Sequence, residues 1–447
     1  MTPILYKIVF CLMGFVLASS LKAQQPPVMT KADRSFLEKL TKDILDSSKV
    51  YPGQSVSGGL GINNTGGVII KPGAGDMYPS FWIRDYAMSI ETGFIPPAEQ
   101  KHMLLLTANT QCDQSWITKG GSLVPLGSIA DHILVNDSKP IYFPGTYSYE
   151  DQGTPRWGTL PPYCDQFFFV HMAYYYVKTT GDLSILSTVI NGKKLLDRLK
   201  LAFHTPPSNE SNHIVLATKE MRGVDFGFRD AIEITGLLCY PTILKYRAAL
   251  ELSEIMAMLK FEEASRYKEI ANMIKENLHQ IFMNEEGMLL ASTGQSNQPD
   301  IWSTALAIYY EAMEEEYVSR ASKALCEAYK AGEISYKGNI RHVPTNADYD
   351  KNTAWEVTTV PKNSYQNGAY WGTPTGWVCY AIYKTDPNLA ARLAQEFIQD
   401  LKENDYRKGG QYGAPYECFN KEGYQQNPLY LTTVSCPLIS LRILPIE

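Results

Sequence analysis

The chain has 447 residues, 45% of them hydrophobic and 20% charged, a balance that excludes wholesale disorder and collagen-like or coiled-coil architecture. Against 47 acidic residues stand 41 Lys and Arg, leaving a net charge of −6, which argues against a nucleic-acid binder and against an anionic-membrane binder. The length accommodates roughly two to three average domains or one large repetitive one, and the 29 Tyr and 7 Trp suit either a Tyr-rich core or stacking against sugar rings.

At the N-terminus Lys7 precedes an apolar run, Ile8 to Ala18, followed by small residues around Ala18-Ser19-Ser20 and Ala23. This is the pattern of a cleaved signal peptide over residues 1–23. The run is too short for a membrane span. The expectation is therefore an exported chain, periplasmic or secreted, without membrane insertion, whose residues 24–447 form the folded part. Seven cysteines remain, Cys112, Cys164, Cys239, Cys326, Cys379, Cys418 and Cys436. None forms a CxxC pair, and no zinc-type spacing appears among seven His. They read as buried small hydrophobes, and no metal or cofactor is expected.

Helical periodicity then recurs along the chain. The first helix spans 31–48, with Leu37, Leu40 and Ile44 on one face and Thr30 as its cap. Residues 50–75 break the pattern. There Gly58-Gly59, Gly61, Asn63-Asn64 and Gly66-Gly67 flank Val68-Ile69-Ile70, as in a hairpin or loop. Eleven further helices are expected over 84–93, 97–112, 162–180, 182–204, 231–259, 262–283, 299–314, 316–332, 373–384, 386–403 and 429–444. Nearly all-apolar helices, such as the one with Phe167-Phe168-Phe169 and Tyr174-Tyr175-Tyr176, alternate with amphipathic ones, such as the one with Lys193, Lys194, Asp197, Arg198 and Lys200. An all-round apolar helix is buried, and an amphipathic one keeps a wet face. Twelve helices alternating in this way predict two concentric rings, an all-α toroid. A stacked solenoid is the alternative, but no repeat is visible.

Polar signatures precede the even-numbered helices, which would form the inner ring. They are Tyr78-Pro79-Ser80-Phe81-Trp82-Ile83-Arg84-Asp85, Pro162-Tyr163-Cys164-Asp165-Gln166, Val224-Asp225-Phe226-Gly227-Phe228-Arg229-Asp230, Pro299-Asp300-Ile301-Trp302, Gln366-Asn367-Gly368-Ala369-Tyr370-Trp371, and Tyr416-Glu417-Cys418-Phe419-Asn420 followed by Gln426-Asn427-Pro428. The N-termini of the inner helices would open at one end of the barrel, so these segments converge on one mouth. An Asp at a helix start is more often a cap than a catalyst, and a lone Trp is usually core. The coincidence of Trp, Arg, Asp and Glu at one mouth marks a site.

The segment Phe81-Trp82-Ile83-Arg84-Asp85-Tyr86-Ala87 resembles the Trp-x-Arg-Asp-x-Ala motif of glucoamylases (glycoside hydrolase family 15) and their six-hairpin and trehalase-like relatives. The resemblance implies an (α/α)6 barrel. It also implies that Arg84 and Asp85 grip sugar hydroxyls in the −1 subsite, with Trp82 in the pocket wall. Tyr370-Trp371-Gly372-Thr373-Pro374 is similar to the loop before the tenth helix in such families. Tyr416-Glu417-Cys418-Phe419-Asn420 looks like the segment that carries their general base. The glucoamylase acid lies in a Trp-Glu-Glu segment, whereas this chain has Phe228-Arg229-Asp230 with Glu233 a turn later. Asp230 is the first candidate for the acid, Asp225 the second and Glu233 the third. The departure puts an α-glucoside substrate in doubt.

Glycoside hydrolysis needs one protonated carboxyl at the leaving oxygen and one carboxylate acting on water or sugar. Burial among rings such as Phe226, Phe228 and Trp371 would keep the acid protonated. The expected function is an inverting glycoside hydrolase, with Asp230 as acid and Glu417 as base, and a carbohydrate as partner. Trp82, Arg84, Asp85, Asp165, Gln166, Asp225, Trp302, Tyr370 and Trp371 are the expected sugar-binding residues. Other sugar-active enzymes on this fold (lyase, epimerase or phosphorylase) and a non-catalytic glycan-binding protein are the alternatives. A lyase or epimerase would want His or Tyr bases in the mouth. His171 reads as a satisfied core histidine. His132 and His342 fall in loops that could line the mouth, with nothing in the sequence to place them there.

Overall fold

The inner ring closes on itself. A computed structural model describes residues 26–56, 60–75 and 77–447, so the signal-peptide reading and Gly58-Gly59 lie outside the described residues. Among the described residues there are twelve α-helices: α1 (Lys31–Ser48), α2 (Ile83–Ser89), α3 (Pro97–Asn109), α4 (Cys164–Thr180), α5 (Leu195–His204), α6 (Cys239–Met258), α7 (Ala264–Phe282), α8 (Ile301–Tyr309), α9 (Glu315–Lys330), α10 (Thr375–Tyr383), α11 (Pro387–Glu403) and α12 (Thr432–Leu441). Helix α2 packs on α4, α4 on α6, α6 on α8, α8 on α10, α10 on α12, and α12 back on α2. The odd-numbered helices pack outside them, α1 on α12, α3 on α4, α5 on α4 and α6, α7 on α6, α9 on α8 and α10, and α11 on α10.

Sequence chemistry explains the two rings. Every residue of α8 but its last is buried, as is the whole of α12. In α11 burial recurs at Leu389, Ala390, Leu393, Ala394, Phe397 and Ile398, one stripe at helical spacing. Caps fix several starts. Thr30 accepts from the Asp33 amide at 3.0 Å, Asp386 from Leu389, and Asp300 from Trp302 and Ser303. The last of these makes Asp300 a cap, the bland alternative for such a residue.

The structure is not purely helical, and the difference lies at the mouth. A five-stranded antiparallel sheet runs in chain order through Ser335–Tyr336, Asn339–Ile340, Tyr370–Trp371, Tyr416–Phe419 and Gln425–Pro428. A three-stranded antiparallel sheet joins Ser80–Trp82 to His132–Leu134 and the latter to Pro140–Ile141, with Trp82 opposite His132. Two expected helices are shorter than the periodicity suggests. Residues 182–194 form a 3-10 turn and a hairpin, Val189–Ile190 with Lys193–Lys194. The cause is Asn191-Gly192, both at positive φ (44° and 78°), the two-residue turn that matches strand twist. Residues 231–238 are extended, with Gly236–Leu237 paired to Leu216–Ala217. All seven cysteines among the described residues are buried and free. No helix among those residues is long and apolar enough to cross a membrane.

Candidate active site

At the mouth the two sheets and the turn before α6 enclose a cavity of about 200 Å3. Its wall includes Tyr78, Trp82, Arg84, Asp85, Asp131, His132, Tyr147, Gly227, Phe228, Asp230, Tyr365, Glu417 and Tyr430. Of the residues expected from sequence, Trp82, Arg84, Asp85, Asp230 and Glu417 meet here. Asp165, Gln166, Asp225, Trp302, Tyr370, Trp371 and Glu233 do not line it.

Strand Ser80–Trp82 runs straight into α2, and so delivers Arg84 and Asp85 in the first helical turn. Arg84 lies beneath the cavity. Its Nη2 donates to Asp165 Oδ2 at 3.0 Å and to Asp131 Oδ1. Gly227 makes room for it, since a Cβ there would sit 1.9 Å from Arg84 Nε. Both carboxylate partners hold the guanidinium charged, so Arg84 is engaged within the protein. Asp85 Oδ1 accepts from the Tyr430 hydroxyl at 2.7 Å. Burial pushes the Asp85 carboxyl up to about 6, against the pull of Arg84 and Tyr430.

Asp230 follows the 3-10 turn Gly227–Arg229. Arg229 turns inward, 2.9 Å from Asp225 and 2.5 Å from Asp300, with its guanidinium over the Tyr240 ring. That buried cluster explains why Asp225 is not at the cavity: it pins the turn from below while Asp230 takes the cavity side. Gln366 Nε2 donates to Asp230 Oδ1 at 2.6 Å, and Gln366 Oε1 accepts from the Ala231 amide at 2.7 Å. Burial raises Asp230 to about 6, with Gln366 pulling the other way. Phe228 supplies part of that burial. Trp371 stands behind it, 5.6 Å from the Phe228 ring and 5.4 Å from Tyr365. Glu233 is partly exposed, its carboxylate 3.6 Å from Arg222.

Glu417 is almost wholly buried, at 1% exposure, on strand Tyr416–Phe419. Two donors meet its Oε2, the Tyr78 hydroxyl at 2.7 Å and Asn427 Nδ2 at 2.6 Å. Asn427 also donates to the Tyr78 hydroxyl. Tyr78 (φ 52°) and Asn427 (φ 32°) both hold left-handed backbone, a conformation that folds retain where the surroundings over-determine it. Burial drives Glu417 up to about 8; Tyr78 and Asn427 lower it, and the nearby charges of Asp85 and Asp230 raise it.

The remaining expected residues have structural partners. Asp165 is fully buried and pushed up to about 7 by burial, against Arg84. Gln166 Oε1 accepts from the Ile129 amide at 3.0 Å. Trp302 stacks on His342 at 4.0 Å in the core, which also removes His342 from the mouth. Tyr370 lies on the sheet, 5.6 Å from Tyr336. His171 is buried against Glu251 and Glu91.

Sequence reasoning missed Asp131 and Tyr147, which complete a rim with Trp82 and His132. Asp131 Oδ2 lies 2.7 Å from His132 Nδ1, and His132 stacks under Trp82 at 4.4 Å. Tyr147, 40% exposed, packs edge-on to both rings. No helix start marks these residues, and the pairing of Trp82 with His132 joins positions 50 apart in the chain. Tyr78, Gln366 and Asn427 do stand inside the polar signatures, but only the fold gives them partners.

No family model matches the chain, and no curated protein matches its sequence. Its fold is shared with solved structures. A glucoamylase from Saccharomycopsis fibuligera superposes with a TM-score of 0.57 at 13% identity, covering 95% of this chain and 97% of that one. A rhamnosidase from Klebsiella oxytoca with rhamnose bound gives 0.55 at 11% identity, covering 94% of this chain and 66% of that one. A sugar epimerase from a ruminal bacterium gives 0.53 at 12% identity, covering 92% and 98%. The chain thus has the six-hairpin, (α/α)6-type fold of these proteins.

Proposed function

We propose that the chain is an exported glycoside hydrolase that cleaves a glycosidic bond of an oligo- or polysaccharide with inversion. The observation that carries this reading is the pairing of Asp230 and Glu417 across one small cavity. Each carboxyl has one oxygen held by amide or hydroxyl donors and is raised by burial. Asp230 is the acid that protonates the departing oxygen. Glu417 is the base: two donors on Oε2 stabilise its ionised form and leave Oε1 to take a proton from water. Asp85 accepts from substrate hydroxyls. The charged Lys7 and the apolar run after it support export.

The test is release of reducing sugar from a glycan panel, with the first-formed anomer followed by NMR. Asp230→Asn should abolish cleavage where the leaving group is poor and partly spare activated aryl glycosides. Glu417→Ala should lose activity against every leaving group. Retention of configuration would refute inversion.

One observation favours a second reading, a sugar epimerase: His132 and several tyrosines stand at the cavity, where proton abstraction would need them. Conversion of a free sugar without bond cleavage would select it.

A further inference from the structure

His132 is 1% exposed, lines the cavity, and has one ring nitrogen, Nε2, buried without a partner among the described residues. Its other nitrogen, Nδ1, faces Asp131 Oδ2 at 2.7 Å. Asp131 is held in turn by Arg84, and Arg84 by Asp165. The ring plane is fixed by Trp82 stacked 20° off parallel, with Tyr147 against its edge. A carboxylate only accepts, so the hydrogen between Asp131 and His132 belongs to Nδ1. In the neutral ring Nε2 is then a bare lone pair.

From this chain we infer that His132 is a specificity-determining residue whose Nε2 accepts a hydrogen bond from one hydroxyl of the sugar held in the cavity. Asp131 and Arg84 are positioning residues that act through it. The inference rests on the reading of the cavity as a sugar site. It adds to the expectation that Arg84 grips the sugar directly: both bonds from Arg84 Nη2 go to Asp131 and Asp165, and so orient His132. A lone acceptor in a dry wall discriminates sharply. A sugar lacking that hydroxyl, or carrying a methyl ether there, leaves Nε2 unpaired and loses the bond.

The test uses the full chain labelled with 15N-histidine, with the His132 signal assigned by its loss in His132→Phe, or in His132→Gln where the first variant does not fold. The expected spectrum shows Nδ1 protonated and Nε2 bare, and Asp131→Ala removes that preference. Glucose, mannose, galactose, rhamnose and xylose are then titrated singly. One of them should shift the His132 Nε2 signal, and its deoxy derivative at one position should bind at least tenfold more weakly. In the His132 variant that penalty should fall below twofold. An Nε2-protonated tautomer, an unmoved His132 signal on sugar binding, or an equal penalty in both proteins overturns the inference. No response to any of the sugars, in that signal or in binding heat, overturns it together with the sugar site. Sugars that bind through His132 while no glycoside is cleaved overturn the hydrolase reading and leave this one standing.

Discussion

Two polar clusters sit in the same ring of inner helices and are built to opposite ends. The mouth gathers Asp85, Asp131, Asp230 and Glu417 around one guanidinium, and burial raises three of those carboxyls. The second cluster is built where Glu91 follows α2, His171 is midway along α4, Arg247 and Glu251 are on α6, and Tyr310 follows α8, with Arg247 and Glu91 partly exposed. There Arg247 Nε donates to Glu251 Oε1 at 2.9 Å, and Nη2 and Nη1 reach Glu91 and Tyr310. Burial pushes Glu91 up, but Arg247 and His171 outweigh it and hold the carboxylate well below its usual range. Charge is matched in the second cluster and left over at the mouth. An unmatched buried carboxyl costs stability, and folds keep such groups where chemistry uses them.

The sharpest way to break the comparison is to remove one member from each cluster. Glu417→Ala should reduce kcat/KM on every glycoside the protein cleaves by about 10²–10⁴-fold while leaving Tm unchanged or higher. Arg247→Met should do the reverse. It leaves Glu91 and Glu251 with His171 as their one remaining cationic partner, at a cost of about 3–5 kcal/mol, read as a lowered urea midpoint with kcat/KM retained. A Glu417 variant that unfolds, or an Arg247 variant that folds well and is inactive, would show that the clusters are not divided in this way.

The division was half legible in the sequence. The alternation of apolar and amphipathic helices announced the two rings, because helix burial follows the 3.6-residue period. Asp230 and Glu417 stood out because each lies in a polar stretch before an inner helix. The sheets did not stand out. Their strands are two to four residues long, too short for alternation to register. The Asn191-Gly192 and Lys337-Gly338 turns, both at positive φ, were the available signals. Asp225 and Trp302 looked like site residues because a helix start exposes its first turn to whatever lies above. Only the packing reveals that Asp225 answers Arg229 and that Trp302 stacks on His342. His171 could be read correctly as a satisfied core histidine, since a polar residue in an apolar helix must find partners.

The clusters also predict a pH dependence. Asp85, Asp230 and Glu417 have folded values above their unfolded ones, 3.8 for Asp and 4.5 for Glu. The folded state therefore binds more protons than the unfolded state, and stability falls as pH rises from about 4 through the folded values near 6 and 8. Glu91 has the opposite sign, and its stabilisation is present above 4.5 and lost as pH falls below that. His171 is raised: burial and Arg247 lower it, but Glu251 and Glu91 prevail. Its contribution is full below 6.5 and fades as pH rises through its folded value. Thermal stability should therefore peak in the mildly acidic range and decline toward pH 9. Glu417→Gln, which cannot ionise, should recover about 2 kcal/mol of that decline. A parallel decline in variant and parent would remove Glu417 as its source.

The smallest effect separates the roles within the mouth. In the resting protein Glu417 near 8 holds a proton more firmly than Asp230 near 6. Between those values the working form, with Asp230 protonated and Glu417 ionised, is about one molecule in a hundred. If the roles were exchanged, the working form would be the dominant one. The Tyr78 hydroxyl stabilises ionised Glu417 through its 2.7 Å bond, so Tyr78→Phe raises the Glu417 value, by about one unit for a bond to a charged group. The alkaline limb of kcat/KM against pH then moves up under either assignment. The plateau does not behave alike. With Glu417 as base, the working form becomes about tenfold rarer, and the plateau falls about tenfold. With Glu417 as acid, the dominant form already works, and the plateau stays where it was. Asn427 still holds Oε2 in the variant, so the carboxyl keeps its place and the readout is the proton alone.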